Sequence, residues 1–366
     1  MQSNKNKSID FKSSVFTCNK LNCSGCGACA QICSKHAIDM VEDNEGFLFP
    51  ILNQEKCVQC GLCDKICPEV NSHQSNVGEY KQCFAATNKD NDYSRMSATI
   101  GACTMMAEYV LSIGGYVFGV ILDEDEWKAK HRCIDNYFLL QEARNSKYIQ
   151  SDTGSTYSLA KQLLNKDKTV LYIGTPCQIA GLKAFLQKEY EKLYTIDLIC
   201  HGVPSRKLLN AFLKGKEKLY SSQIIELKFR EKEYGWRNQE LYIKFENGRI
   251  YHAPIWVDNF YRLFTNNYIL RDSCYSCRFS SIERQGDITI GVFWNIKNVN
   301  EAFEDKLGVS SIIINSEKGE KIFEKVKNKF DIIECSLNDI NQKNLNSPSP
   351  RPSHYEEFQR LIGEKG

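Results

Sequence analysis

Cys23-Ser-Gly-Cys26-Gly-Ala-Cys29-Ala-Gln-Ile-Cys33 and Cys57-Val-Gln-Cys60-Gly-Leu-Cys63-Asp-Lys-Ile-Cys67-Pro68 decide how the front of this chain folds. Each run is C-x2-C-x2-C-x3-C. Two such runs in one stretch are the signature of a bacterial ferredoxin-like unit with two [4Fe-4S] clusters, in which the fourth cysteine of each run crosses to the other cluster. The crossing makes Cys23, Cys26, Cys29 and Cys67 one ligand set and Cys57, Cys60, Cys63 and Cys33 the other. Three closely spaced thiolates wrap a cubane while the intervening N–H groups turn toward its sulfurs, and Gly25, Gly27, Ala28 and Gly61 permit that tight turn. Structural zinc wants two separated cysteine pairs per metal, and a disulfide framework wants an oxidising compartment, so neither accounts for this spacing. Ser34 replaces the proline that usually follows the first run, which loosens a turn without removing a ligand.

Outward from these runs the chain reads as an ordinary soluble globular protein. Its 366 residues suffice for two or three domains. A net charge of +2 with scattered basic residues gives no reason to expect nucleic acid or an acidic membrane surface as a partner. The first seventeen residues are polar and lack an apolar leader, and the longest strongly apolar run, Gly115 to Leu122, is too short to span a bilayer. A cytoplasmic location is expected. The cysteine count of 17 is odd, which argues against full pairing and for thiolates kept reduced for metal.

The fold class expected is α+β overall: residues 1–17 a polar tail, 18–72 the ferredoxin-like domain, 73–345 a larger mixed α/β core, and 346–366 a C-terminal tail. Ala37–Val41 and Gly46–Pro50 read as short strands around a polar turn. In the core, Met96–Ile113 has helical spacing and ends at Gly114-Gly115 before a strand, Tyr116–Leu122. Thr169–Gly174 is a second strand, followed by a helix over Gln178–Leu186. Leu193–Ile199 is a third, ending at Cys200-His201-Gly202. Carboxyl ends of such strands are where open α/β sheets bind ligands. A hairpin around Asn247-Gly248, a helix over Asn259–Leu270, strands over Asp287–Gly291 and Ile312–Asn315 and a helix over Glu317–Lys329 follow. The Ser/Pro-rich end carries no legible chemistry.

Four of the remaining cysteines sit in unusual contexts: Cys177 in Gly-Thr-Pro-Cys, Cys200 in Ile-Cys-His-Gly, and the pair Cys274-x-x-Cys277. Their spacing leaves a third cluster, half a zinc site and small buried hydrophobes all open. Cys177 falls at a helix N-terminus, where the macrodipole lowers a thiol pKa. Cys18, Cys83, Cys103, Cys133 and Cys335 read as packing residues. Lys147, Arg230 and Arg271 are anion-anchor candidates whose ordinary alternative is a surface or ion-pairing role.

Gly174-Thr-Pro-Cys-Gln-Ile-Ala-Gly-Leu-Lys183, Asp197-Leu-Ile-Cys-His-Gly-Val-Pro-Ser205, Leu270-Arg-Asp-Ser-Cys-Tyr-Ser-Cys277 and Gly286-Asp-Ile-Thr-Ile-Gly-Val-Phe-Trp294 closely resemble the coenzyme F-420 hydrogenase/dehydrogenase beta-subunit family, over about residues 18 to 350. The resemblance implies a flavin-binding core in which Cys177, Cys200, Cys274 and Cys277 hold a third [4Fe-4S] cluster beside FAD. It also implies that Ser97, Thr99, Gly101, Lys147, Tyr148 and Ser151 line the flavin site. No catalytic residue is assigned, with His201 as a candidate to donate a hydrogen bond or proton to the flavin, or else to orient the Cys200 turn. Three positions depart from the family pattern: Ile100 and Asn145 stand where glycine is common, which would restrict close backbone approach, and Val292 replaces an aspartate.

The expectation is an iron–sulfur flavoprotein oxidoreductase. Electrons would pass between a ferredoxin-type carrier or partner redox subunit and a small-molecule hydride acceptor or donor, either coenzyme F-420 or a pathway intermediate. The alternative is a non-catalytic electron-transfer subunit serving a partner enzyme. The crossed ligand assignment makes a direct prediction: Cys67→Ser perturbs the cluster built on Cys23, Cys26 and Cys29, and Cys33→Ser perturbs the other one. Electron paramagnetic resonance of the two reduced variants reads this, and one and the same cluster disturbed by both changes would refute the crossing.

Overall fold

The computed structural model describes residues 21–71 and 82–363. The polar tail, Cys18, most of the segment expected as a linker after Asn71 and the last three residues lie outside the described residues. In the front unit β1 (Ile38–Glu42) and β2 (Leu48–Leu52) pair antiparallel, with Ile38 opposite Leu52. Each cysteine run carries one short helix, Ala28–Ile32 or Leu62–Lys65, entered through Gly27 at φ 78° or Gly61 at φ 71°. That left-handed backbone costs glycine nothing and most other residues about 1 kcal/mol or more.

The strands that follow are β3 (Gln82–Asn88), β4 (Tyr116–Asp123), β5 (Lys128–Ile134), β6 (Ser151–Asp152), β7 (Val170–Gly174), β8 (Leu193–Leu198), β9 (Ile224–Glu231), β10 (Glu240–Phe245), β11 (Ile250–Pro254), β12 (Ile288–Val292), β13 (Ser310–Ile314) and β14 (Phe330–Cys335). Nine of them form one mixed sheet in the order β14-β3-β13-β12-β8-β7-β4-β5-β6, while β11-β10-β9 form an antiparallel sheet of their own. The centre of the large sheet, β12-β8-β7-β4, is parallel. Parallel strands are covered on both faces, and β7 accordingly is a nearly unbroken buried run of Val170, Leu171 and Tyr172.

One face is covered by the helix Ala102–Ser112, through Met105, Met106 and Val110, and by Ile322 and Phe323 of the helix Glu317–Glu324. The other carries the helices Thr156–Asn165 and Pro176–Leu186. Cys26, Ala28 and Ile66 of the front unit share the latter's apolar cluster with Ile179, Leu182 and Phe185. The ferredoxin-like unit is therefore packed on the sheet's helical layer.

Several boundaries differ from the sequence reading. The helix expected from Met96 begins at Ala102, because Gly101 at φ 73° ends a separate irregular segment. The helix from Asn259 stops at Thr265, with Asn266 as its C-cap. The helix from Glu317 ends at Glu324 and a 3-10 turn, Lys327–Lys329, replaces its last part. No helix among the described residues is long and apolar enough to cross a membrane.

Behind the carboxyl end of β8 lies a buried ion pair. Asp197 accepts from Arg284 Nη2 at 3.1 Å, Thr289 Oγ1 at 2.6 Å and the N–H groups of Gln285 and Gly286 at 2.8 and 2.9 Å. Arg284 also donates to the Leu198 carbonyl at 2.9 Å, two residues before Cys200. Removing one member of such a pair leaves an uncompensated charge in the core. Asp197→Ala should cost about 3–5 kcal/mol of stability, read as a lower denaturant midpoint. A loss below about 1 kcal/mol, the range of an exposed pair, would contradict this placement.

Candidate metal and cofactor centre

The structure sorts the twelve candidate cysteines into three groups of four. Cys33, Cys57, Cys60 and Cys63 line a small cavity of about 30 Å³ on the outside of the ferredoxin-like unit, with Cys60 exposed. Backbone N–H groups turn toward these sulfurs, as the spacing predicts: Ala37 N lies 3.4 Å from Cys33 Sγ and Gln59 N lies 3.4 Å from Cys57 Sγ. Cys23, Cys26, Cys29 and Cys67 form an inner group. Burial pushes the Cys26 and Cys29 thiols up, and both also feel Cys23 and Cys67. Burial pushes Cys67 up to about 11.

The third group comes from three separate segments. Cys177 follows β7, in the first turn of the helix Pro176–Leu186, which is opened by a Thr175–Gln178 capping box. Cys200 follows β8, and Cys274 and Cys277 sit in and just after the 3-10 turn Asp272–Ser276. The Cys177 thiol is raised by burial first, then by Cys277, Cys200 and Cys274. Cys200 is raised to about 11 by burial and Cys277. The lowered Cys177 pKa expected from the helix dipole is thereby corrected, because desolvation of the thiolate outweighs the dipole. Four half-buried thiols, of which Cys177, Cys200 and Cys274 are raised by their neighbours, are poor anions alone and good ligands for iron, whose charge would offset both penalties. Among the described residues no three His, Cys, Asp or Glu side chains close around a point as they would around a single ion.

These four cysteines form one wall of a cavity of about 560 Å³, and Ser97, Thr99, Gly101, Lys147, Tyr148 and Ser151 all line it. Their side chains are not equally free. Lys147 Nζ donates to the carbonyls of Glu142 and Arg144 at 3.0 and 2.6 Å, which fixes the loop. The Ser151 hydroxyl accepts from Gln178 Nε2 at 2.9 Å, and Thr99 Oγ1 accepts from Ser310 at 2.7 Å. Tyr148 stands edge-on to Phe229 and Tyr261 and forms an apolar wall. Arg271 is likewise no surface residue: it is buried and fully engaged, with Nε on the Cys23 carbonyl at 2.6 Å and Nη2 on the Leu48 carbonyl at 2.9 Å.

Arg230 is different. It is buried, lines the cavity, and its Nε and Nη2 have no partner among the described residues. Arg144 Nε and Gln239 Nε2, which the sequence reading missed, are buried and likewise unpartnered on the same cavity. The N-terminus of the helix Ala102–Ser112 opens onto it through Gly101, with no side-chain cap on its free N–H groups. Buried unsatisfied donors around a helix N-terminus make a place for an anion.

The structure places the departures at Ile100 and Asn145 as follows. Ile100 points into the apolar core, and Asn145 adopts φ 68°, a left-handed conformation that asparagine tolerates better than most residues. Val292 lines the cavity as an apolar side chain. His201 also lines it, its ring edge-on to Phe264 and its pKa lowered by burial, so it is neutral at pH 7. Gln342 and Asn344 line the cavity, and the Ser/Pro-rich end that carried no legible chemistry reaches the site through Ser349, whose Oγ donates to the His201 carbonyl at 2.6 Å.

Residues 22–71 match the model of the 4Fe-4S dicluster domain, and residues 167–339 match that of the C terminus of the coenzyme F420 hydrogenase/dehydrogenase beta subunit. The chain is 23% identical over 331 residues to the subunit designated F of F(420)H(2) dehydrogenase from Methanosarcina mazei, a match covering 85% of this chain and 84% of that protein. It is 26% identical over 188 residues to coenzyme F420-dependent sulfite reductase of Methanocaldococcus jannaschii, covering 50% of this chain and 28% of that protein. A chain of the F420-reducing [NiFe] hydrogenase complex from Methanosarcina barkeri overlaps at a TM-score of 0.49 and 16% identity, over 79% of this chain and 93% of its own. The four-cysteine wall at the ends of β7 and β8 thus falls inside residues 167–339, the region that matches the C terminus of the coenzyme F420 hydrogenase/dehydrogenase beta subunit, behind the match to a 4Fe-4S dicluster domain over residues 22–71.

Proposed function

We propose that this chain is an iron–sulfur flavoprotein oxidoreductase that carries three [4Fe-4S] clusters and FAD and exchanges electrons between a hydride-transferring small molecule and a one-electron protein partner. The observation that carries this reading is the shared cavity: one wall is the Cys177, Cys200, Cys274 and Cys277 group, and its lining also includes the buried Arg230 and the open helix N-terminus at Gly101. A flavin takes or gives electrons as a hydride pair whereas clusters pass them singly, and a protein holding both converts one into the other.

The residues divide that work. Arg230, Arg144 and the N–H groups after Gly101 would hold the flavin's diphosphate, satisfying donors that otherwise remain buried and unpaired. Tyr148 and Phe264, 5.3 Å apart between ring centroids, give the cavity an apolar side that excludes water. Neutral His201, fixed by Ser349 beside Cys200, is a positioning residue for the cysteine turn. The relatives' names make coenzyme F420 the first hydride carrier to test, and the Methanosarcina mazei relative, itself named as one subunit of a dehydrogenase, makes a multi-subunit assembly the first setting to test. The substrate itself is not fixed by the fold.

Two outcomes follow. Anaerobically reconstituted protein should hold about 12 Fe, a similar amount of acid-labile sulfide and one extractable flavin per chain. A content of about 8 Fe, unchanged by Cys274→Ser, would remove the third cluster. Cluster content without flavin, and electron exchange with protein carriers alone, would make the chain an electron-transfer subunit instead. Arg230→Ala should weaken FAD binding by about 1.5–3 kcal/mol, roughly 10- to 150-fold, as expected for a charge-assisted contact. Quenching of FAD fluorescence on titration measures this, and an unchanged affinity would take Arg230 out of the flavin site.

A further inference from the structure

The two groups of cysteines in the ferredoxin-like unit are not equivalent with respect to the core. Three ligand positions of the inner group are each tied to a segment that carries a core cysteine. At Cys23, the backbone carbonyl accepts from Arg271 Nε at 2.6 Å, three residues before Cys274. At Cys67, the adjoining Pro68 carbonyl accepts from Arg278 Nη1 at 3.0 Å, one residue after Cys277. At Cys26 the neighbour is the core helix itself. A Cβ placed on Gly181 would lie 3.0 Å from both Cβ and Sγ of Cys26, and Gly181 is one turn beyond Cys177 on the same helix. The Tyr157 hydroxyl sits between the Cys26 and Gln178 carbonyls at 3.0 and 2.8 Å and closes the same contact from the side.

The outer group, Cys33, Cys57, Cys60 and Cys63, has different surroundings. Its cavity is lined by residues of the ferredoxin-like unit, Cys33 to Cys63, and Cys60 and Val58 face solvent.

We infer that the Cys23/Cys26/Cys29/Cys67 cluster is the relay seated on the core, that the Cys33/Cys57/Cys60/Cys63 cluster is the port for a one-electron protein carrier, and that Gly181 is the positioning residue that sets the relay's approach to Cys177. The inference rests on the reading that Cys177, Cys200, Cys274 and Cys277 hold a cluster. Each hop moves one electron, oxidising one cluster and reducing its neighbour, with no bond made or broken. A side chain at position 181 would hold Cys26 off the helix, and glycine is the residue that adds nothing there.

Low-temperature electron paramagnetic resonance of the full-length, reconstituted and fully reduced protein tests the order through magnetic interaction between adjacent clusters. With the port emptied by Cys57→Ala and Cys60→Ala, the two clusters that remain should still split each other's signals. With the relay emptied by Cys26→Ala and Cys29→Ala, the remaining two should give independent, unsplit signals. The reverse pattern overturns the order. Gly181→Val serves if a double variant does not fold: it should keep the parental iron content while narrowing the relay–core splitting, and an unchanged splitting removes Gly181 from the role. Parental protein holding about 8 Fe would sink the core-cluster reading itself, whereas about 12 Fe with the reversed splitting pattern would sink only the order.

Discussion

The guanidinium of Arg271 ties together everything that must meet at the centre of this molecule. It donates to the Cys23 carbonyl, to the Leu48 carbonyl of the β1–β2 hairpin and to Gln150 Oε1 beside the cavity, and it lies 4.0 Å over the Phe49 ring. Its own segment runs directly into Cys274 and Cys277. A buried cation satisfied by carbonyls and an aromatic face is still costly unless negative charge is near. Glu69 feels this guanidinium, and thiolate-bound clusters in the adjoining inner and core groups would add further counter-charge. The arrangement therefore makes mechanical sense as a junction: one side chain registers the ferredoxin turn, the hairpin, the Gln150 loop and the cysteine turn against one another.

Much of this was legible in local sequence because local chemistry determines it. The doubled cysteine run needs its particular spacing to wrap a cubane, and in the structure Cys67 lies near Cys23 and Cys26 while Cys33 lines one cavity with Cys57, Cys60 and Cys63. The strands Val170–Gly174 and Leu193–Leu198 were visible as apolar runs because central parallel strands are buried on both faces. The Asn247-Gly248 hairpin was visible through its turn residues, with Gly248 at φ 82°.

What stayed hidden depends on distant partners. That Lys147 is spent on carbonyls of its own loop, whereas Arg230 is left with free donors, follows from packing between β9, Tyr148 and Tyr261 and from no pattern near either residue. The helix pattern from Met96 looked continuous, yet Gly101 turns left-handed and places a helix N-terminus on the cavity. Ser349 reaches the His201 carbonyl from a stretch whose composition signals only a tail. Gly181 lies inside a helix, and a Cβ there would meet Cys26, a residue more than a hundred positions away.

In the proposed reading, the core cysteine group is the electrical contact between the cavity, as a flavin site, and the ferredoxin-like unit. Anaerobic stopped-flow absorbance of FAD-loaded Cys177→Ala, mixed with reduced coenzyme F420 as the hydride donor, follows flavin bleaching and cluster reduction separately. The account predicts that the flavin bleaches as in the parental protein while the ferredoxin clusters stay oxidised on the parental time scale. Ferredoxin clusters that still reduce at the parental rate after the flavin bleaches would contradict it, because electrons would then reach them by another route.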